Sequence, residues 1–532
     1  MKKIHLILFI TISYISFSQA PNIQWQKCLG AFNSYDSLVG NFHLGYETAR
    51  SIIKTQDGGY ILAGETSGND GDVFGNHGSV DFWVVKMDLN GNIIWQKCLG
   101  GLNDEYANDI IQTNDGGYLI VGGSESNDGD VFGNHGGVDF WVVKLNSSGT
   151  LQWQKCFGGN QKEVANSVKE VALGGFVIVG TTETINNGDV SGYNGGISDG
   201  WVIKISNSGT LQWQKCIGDS GKDEIEDVTI NNVGDFVTSG TTNSYYGSGN
   251  HGAQDFWLVK INSNGVITWN KCYGGSNFDI ANSIEYTSDN GYILAGSTNS
   301  DNGDVNGNNS VQTLINDMWV LKVDSLGVVL WQKCLGGTSY DIAYSVKETL
   351  NGDYVIGGET NSYDGDVLNV NHGWQDAWII SINASGNIIW ERCLGGISGD
   401  VAYDIVQTTD GGFIIAGTTN SDNFNGDVYG LHGGIGSYVN DAWVVKLSSF
   451  NSLKEINSTQ INIYPNPTNS IIVVEIENFC NNGFVLYDKF GSEVIHGLLN
   501  SVKSEISLKD LSKGIYFLKV EGDSQSKKVI KE

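Results

Sequence analysis

The chain has 532 residues and carries 59 acidic against 30 basic side chains, a formal net charge of −29 at neutral pH. A charge of that sign repels phosphate backbones and no basic stripe relieves it, which excludes nucleic-acid binding and leaves cations, glycans and proteins as partners. The length allows a large core and more than one domain.

Residues 1–18 begin MKK, continue as an apolar run and end in small or polar residues, the pattern of a secretory signal peptide cut between Ser18 and Ala20. No later apolar run approaches the ~20 residues of a membrane helix, so no transmembrane segment is expected.

From Trp25 a heptad recurs: WQKCLGA at Trp25, WQKCLGG at Trp95 and Trp331, and relatives at Trp153, Trp213, Trp269 and Trp390. Successive tryptophans stand 70, 58, 60, 56, 62 and 59 residues apart. The second unit contains NDIIQT, GYLIVGG, FWVVKL and LQWQKC, β-branched and aromatic runs bounded by Gly, Asn and Asp. Four strands per unit predict propeller blades. The first WQKC has no FWVVK partner before it, and the last, Asp441–Leu447, has no WQKC after it. The expected fold class is all-β: a seven-bladed β-propeller over 19–449, closed by an N-terminal strand, which leaves no open seam.

The hairpins Asp88-Leu-Asn-Gly91-Asn-Ile-Ile-Trp95 and Asp324-Ser-Leu-Gly327-Val-Val-Leu-Trp331 resemble the Asp-x-x-Gly-x-x-x-Trp hairpin of pyrroloquinoline-quinone-type propeller repeats. The resemblance implies the fold and brings no quinone, since no cofactor-site residues match. The DGGY stretches at Asp57–Thr66 and Asp410–Thr418 resemble repeats of secreted bacterial propellers and imply no mechanism.

Cys28, Cys98, Cys156, Cys216, Cys272, Cys334 and Cys393 look like a disulfide framework. A fourth strand, however, lies roughly 20 Å from a propeller axis at ~4.8 Å per strand. Sevenfold division then separates neighbouring copies by roughly 17 Å, beyond the ~7 Å limit for bridged Cα atoms. Small buried hydrophobes between blades are the expected role. Cys480 falls outside the repeats.

Trp83, Trp141, Trp201, Trp257, Trp319, Trp378 and Trp443 are expected to fill blade interfaces. The aspartates two residues before them, Asp81 to Asp441, are expected to satisfy turn N–H groups. Glu47, Glu105, Glu163, Asp223, Asp279, Asp341 and Asp400 precede the first strands, where they ring the channel mouth or pair with nearby backbone or lysines. His77, His135, His251, His372 and His432 read as surface turn residues.

Long connections between second and third strands carry Asp-Gly-Asp: Asp70/Asp72, Asp128/Asp130 and Asp364/Asp366. Alternating carboxylates suit calcium, the one cofactor considered; an Asx-turn without metal is the plainer reading. Departures from the repeat mark ligand-binding candidates: Trp374, outside both tryptophan sets, Tyr245 and Tyr246 in the fourth long loop, and Phe424 and Tyr438 in the seventh. No Ser/His/Asp constellation is visible and no catalytic residue is assigned.

After a linker at 450–460 the composition changes. Residues 461–532 hold 9 acidic and 8 basic side chains, a net of −1, leaving −28 for the preceding residues. Alternating apolar positions predict a small β-sandwich. Tyr464-Pro465-Asn466-Pro467, a DKFG turn, Gly514-Ile-Tyr516 and a lysine-rich end resemble the C-terminal sorting domain of type IX secretion substrates. That resemblance implies passage through the periplasm, outer-membrane secretion machinery as a partner, and release or anchoring at the surface of a Gram-negative cell. The expected activity of the cargo is binding or adhesion to a glycan or protein ligand. The alternative is a secreted polysaccharide-active enzyme, a glycoside hydrolase or lyase on a propeller scaffold; whether catalysis occurs stays open.

Overall fold

β-Branched and aromatic runs fill a pleated surface, and Gly, Asn and Asp between them supply tight turns, so this sequence alternates strand and turn throughout. The computed structural model describes residues 20–32, 34–36, 41–43, 46–244, 249–309, 315–421, 426–432, 440–450, 461–476, 483–489, 491–499, 501–520 and 527–532. All regular elements among them are strands. The chain divides into two compact units, 1–450 and 451–532. The residues of the expected signal peptide and linker lie outside the described residues, apart from Phe450.

The described residues of the first unit contain seven four-stranded antiparallel sheets that resemble propeller blades. The second sheet is typical: Glu105–Gln112, Tyr118–Ser124, Asp139–Leu145 and Leu151–Phe157 follow one another in space as in sequence. The seventh contains Asp400–Gln407, Phe413–Thr419 and Asp441–Leu447, and its fourth place is taken by Ile23–Leu29. Cys28 stands opposite Trp443 there, as Cys156 stands opposite Trp141 in the second sheet. First strands contact one another in order, and Asp400–Gln407 meets Glu47–Lys54.

Each first strand bulges after its third residue, as between Ala107 and Asp109. The neighbouring second strand comes so close that a β-carbon at Gly64 would collide with the Thr48 carbonyl. Only glycine fits, which accounts for the invariable Gly of the AG, VG, SG and GG pairs in these strands.

Apolar side chains alternate between sheet faces and meet those of the next sheet. Ile61, Phe82 and Leu99 of the first sheet face Ile120, Trp141 and Val143 of the second. The seven third-strand tryptophans are at most 1% exposed. Burying each such side chain stabilises the fold by about 2–3 kcal/mol, so the interfaces dominate cohesion.

Three positions of the WQKC heptad, Trp, Gln and Cys, each make a repeated contact. The Trp95 ring covers Gly149 in the next hairpin, where φ is +79° and a side chain would strike the indole. Gln96 accepts the Trp83 indole hydrogen at 2.9 Å and donates to the Phe74 carbonyl at 2.9 Å. Cys98 is 3% exposed within an interfacial core. All seven repeat cysteines are buried and unbridged. Burial pushes the Cys98, Cys156 and Cys216 thiols up to about 12. Cys480 lies outside the described residues.

In the second unit, one sheet holds Ile461–Tyr464, Ile471–Ile476 and Lys503–Ser507. The other holds Glu493–Leu498, Gly483–Asp488, Gly514–Val520 and Lys527–Lys531. Val474, Leu486, Leu518 and Val529 fill the space between them.

Candidate functional site

The repeated polar residues are consumed in holding the sheets together. The second aspartate of each Asp-Gly-Asp braces the long loop against the end of a fourth strand. Asp72 N–H donates to the Gly30 carbonyl at 2.9 Å while its carboxylate accepts from Gly30 N–H at 3.4 Å. Asp366 repeats this with Gly336, and Asp130 N–H donates to the Gly100 carbonyl at 2.8 Å. Asp128 and Asp364 accept from the backbone of Leu102 and Thr338 at 2.9 and 2.7 Å. Asp70 keeps one buried oxygen without a partner. Among the described residues, no three His, Cys, Asp or Glu side chains converge on a point suited to a metal.

The histidines are latches as well as turn residues: His77, His135 and His251 are exposed, as expected, and His372 and His432 are half-buried. His77, His135, His251, His372 and His432 each donate through Nδ1 to the buried aspartate that begins the adjoining third strand, at 2.6–2.8 Å. Asn194 and Asn309 take their place in the third and fifth sheets through backbone N–H groups. The acids at the starts of the first strands are also buried, at 0% exposure, and do not ring a channel mouth. Glu105 accepts from Gly101 N–H and Ser124, and among the described residues none of these acids forms an ion pair with a lysine. At each junction the two acids face one glycine: a β-carbon on Gly158 would lie 2.6 Å from Glu163 and 2.7 Å from Asp139. Burial and the facing charge push Asp139, Asp199 and Asp279 up to about 6, and Glu47 to about 7, against hydrogen bonds that lower them.

The fifth residues of the first strands form a belt around the inner channel: Ser51, Asp109, Ser167, Asp227, Ser283, Ser345 and Asp404. Bulging turns the following N–H out of the sheet ladder, and the belt caps it. Asp109 accepts from Ile110 and Val168 N–H at 2.8 and 2.9 Å, and from Ser51 and Ser167. Asp227 and Asp404 do the same for Val228 and Ile284, and for Ile405 and Ile52. Val346 N–H is left to Ser283 Oγ at 3.3 Å. Sequence reading missed this belt because a Ser/Asp mixture at one strand position shows no purpose until the bulge is seen.

Repetition breaks in one sector. The fourth first-strand residue is Asn108, Asn166 and Asn282 in three sheets, each donating to a carbonyl of the next sheet at 2.8–2.9 Å. In the sixth, seventh and first sheets it is Tyr344, Tyr403 and Arg50. The Arg50 guanidinium lies 4.4 Å over the Tyr403 ring and pairs with Glu65 at 3.3 Å. Tyr344 meets Tyr403 edge to face at 5.3 Å. Burial pushes Glu359 up to about 7, against hydrogen bonds from Gln375 and Tyr344. Glu65 and Glu359 hold the same second-strand position, which is Gly, Thr or Ser in the other sheets. Beside Gln375 stands Trp374, 73% exposed, with its carbonyl bonded to Asn361 at 2.9 Å. Tyr363, 67% exposed, reaches the carbonyl of Gly373. A series of contacts thus runs from Gln375, the chain neighbour of the exposed Trp374, through Glu359, Tyr344 and Tyr403 to Arg50. Of the residues expected to bind ligand, Tyr245, Tyr246, Phe424 and Tyr438 lie outside the described residues.

In the second unit the sorting motif fastens the terminal strand. Tyr464 donates to Glu475 at 2.8 Å; the peptides before Pro465 and Pro467 are cis. Asn466 bonds the Lys528 carbonyl and Ile530 N–H at 2.7 and 2.9 Å. Gly514 opens a strand in which Tyr516 is buried and donates to the Ser512 carbonyl at 2.7 Å.

Residues 462–532 match the family described as "Secretion system C-terminal sorting domain". The C-terminal unit is a type IX sorting domain. The chain is accordingly exported to the surface of, or secreted from, a Gram-negative Bacteroidetes cell, through interaction with the type IX machinery. No described helix is long and apolar enough to cross a membrane. No curated protein matches the chain. Among solved structures, hydrazine synthase of Kuenenia stuttgartiensis is 11% identical over 69% of this chain and 92% of its own, with a TM-score of 0.44. A fungal alcohol oxidase of the AA5 family is 10% identical over 96% and 100%, at 0.42. PorZ, a surface component of the type IX system of Porphyromonas gingivalis, is 10% identical over 88% and 57%, at 0.36. Likenesses this distant carry no activity across.

Proposed function

We propose that residues 19–449 are a seven-bladed propeller, closed by the strand Ile23–Leu29, that works outside the cell as a binding or adhesion module. Residues 1–18 are its export signal and 450–460 its linker to the sorting domain at 461–532. One observation carries the reading: the departures Glu359, Tyr344, Tyr403 and Arg50 are contiguous, and the exposed Trp374 adjoins Gln375, which bonds Glu359. An exposed indole costs solubility, and its planar face suits the apolar face of a sugar ring or a protein side chain. The long loops place this sector where a rigid scaffold usually carries function.

Glu359 and Glu65 favour a second reading, a polysaccharide-active enzyme. One carboxyl is raised to about 7 and the other is paired with a guanidinium, and acid–base catalysis needs two such differing environments. Glycan-array binding by the exported protein, with and without calcium, tests the first reading. Trp374→Ala is expected to weaken binding at least tenfold at unchanged melting temperature. Release of reducing ends that Glu359→Gln abolishes would establish the enzyme instead; a Trp374→Ala protein that binds normally and melts earlier would make the indole a packing residue.

A further inference from the structure

A recess of about 550 Å³ opens beside the channel at the inner ends of the first three sheets. Its volume falls within the about 300–1,000 Å³ typical of small-ligand sites. We propose that it binds the terminal residues of a neutral saccharide. The proposal rests on the ring being a binding module and adds a site apart from Trp374.

The lining is mixed in a way that selects a polyol. Arg50 and Lys162 supply cationic donors, Glu65 and Glu125 supply acceptors, and Asn108 offers an amide. The four charges cancel, so the recess itself attracts no ion, and the strongly acidic chain around it disfavours uronates and other anions. Hydroxyl groups, which both donate and accept, satisfy such a set without bringing a charge in.

Two observations point to an occupant. Arg50 is held by Glu65 through Nη2 and by the Tyr403 face, and its side chain, 34% exposed, lines the recess, fixed in place to donate to an incoming hydroxyl oxygen. Tyr106 is the one aromatic at the second position of a first strand, where the other sheets carry Thr, Val, Ile or Glu. Its ring is fixed by a hydroxyl bond to Asp104 at 2.9 Å, and Tyr46 faces the same space. The fixed Tyr106 ring, with Val80, Val138 and Val164 also lining the recess, offers stacking to the C–H face of a pyranose.

Isothermal titration of the exported protein with cellotetraose, laminaritetraose, mannotetraose and tetragalacturonate tests this. Glu125 and Lys162 are exposed, so Glu125→Ala and Lys162→Ala leave folding intact, and Trp374→Ala serves as the comparison. At least one neutral tetrasaccharide is expected to bind, at least tenfold more tightly than tetragalacturonate, and both recess variants are expected to lose tenfold or more. Normal binding by the recess variants with loss in Trp374→Ala would overturn the recess and leave the module reading standing. Preference for tetragalacturonate would overturn the proposed chemistry, and no binding by the wild type to any of the four would overturn the recess as a neutral-saccharide site.

Discussion

Gln26 and Trp443 stand 417 residues apart, and the Gln26 side-chain oxygen accepts the Trp443 indole hydrogen at 2.8 Å. The same bond joins Trp83 to Gln96 and Trp141 to Gln154 across 13 residues. A strand from the start of the chain thus reproduces, side chain for side chain, a contact that is local elsewhere.

Deleting residues 22–30 removes that strand, uncovers the Asp441–Leu447 edge and exposes the surface packed by Cys28 and Leu29. The expected loss exceeds about 3 kcal/mol, with aggregation through the free edge. Calorimetry and light scattering check it. A deletion variant that melts like the wild type and stays monodisperse would count against closure.

Trp257 has no acceptor for its buried indole N–H, because the fourth sheet carries Asn270 where five other sheets carry Gln and one Glu. The shorter amide falls short. Asn270→Gln is expected to stabilise the protein by about 0.5–1.5 kcal/mol, the net worth of one hydrogen bond. Chemical denaturation measures it, and a destabilised variant would contradict the assignment.

Mild acid should stabilise this protein. Glu47 and Asp317 titrate at about 7, and Asp139, Asp199, Asp279 and Asp341 at about 6, burial being the chief cause in each. Free carboxyls titrate near 4, so the folded chain binds more protons across that interval. Stability is then fullest below the unfolded values and declines as pH rises through the folded ones. Hydrogen bonds to Asp376 and Asp441 raise His372 and His432, which adds the same sign above pH 6.5. Asp115, which bonds from Thr113, Gly117 and Lys144 lower to about 2 against its desolvation, opposes this only in stronger acid. The melting temperature is expected to be higher at pH 5 than at pH 8, with the reverse order excluding the buried acid pairs as the source.

Calcium removal is a separate matter. Asp72, Asp128, Asp130, Asp364 and Asp366 already take part in hydrogen bonds with the neighbouring connection. Dialysis against chelator is expected to move the melting temperature by less than ~1 °C, and a shift of several degrees restored by calcium would identify a cation among them.

The strand pattern was legible because each repeat states it again: the tryptophans, glycines and Asp-Gly-Asp turns fall where the spacing places them. The lone tryptophan was legible as a departure, and Trp374 is exposed. The inner sector was not. Arg50, Tyr344 and Tyr403 stand hundreds of residues apart or in unremarkable strand positions, and only the meeting of Asp400–Gln407 with Glu47–Lys54 brings them together. The histidines were legible as turn residues but not as latches, because Nδ1 bonding to a buried acid four or nine residues on leaves no mark in composition.

The belt of Ser51, Asp109, Ser167, Asp227, Ser283, Ser345 and Asp404 has a consequence in parity. Each carboxylate caps two N–H groups, its own strand's and the next, so strict alternation of Ser and Asp satisfies only an even number of strands. Seven is odd, and the mismatch collects at one seam, where Ser283 stands next to Ser345 and Val346 N–H meets a hydroxyl instead of a carboxylate. In hydrogen-bonding terms, excising the sixth repeat would restore perfect alternation, while duplicating a serine-bearing repeat elsewhere would open a second seam. Repeat number in such a protein is constrained not only by the wedge each sheet fills but by a count that must come out even, or tolerate one flaw.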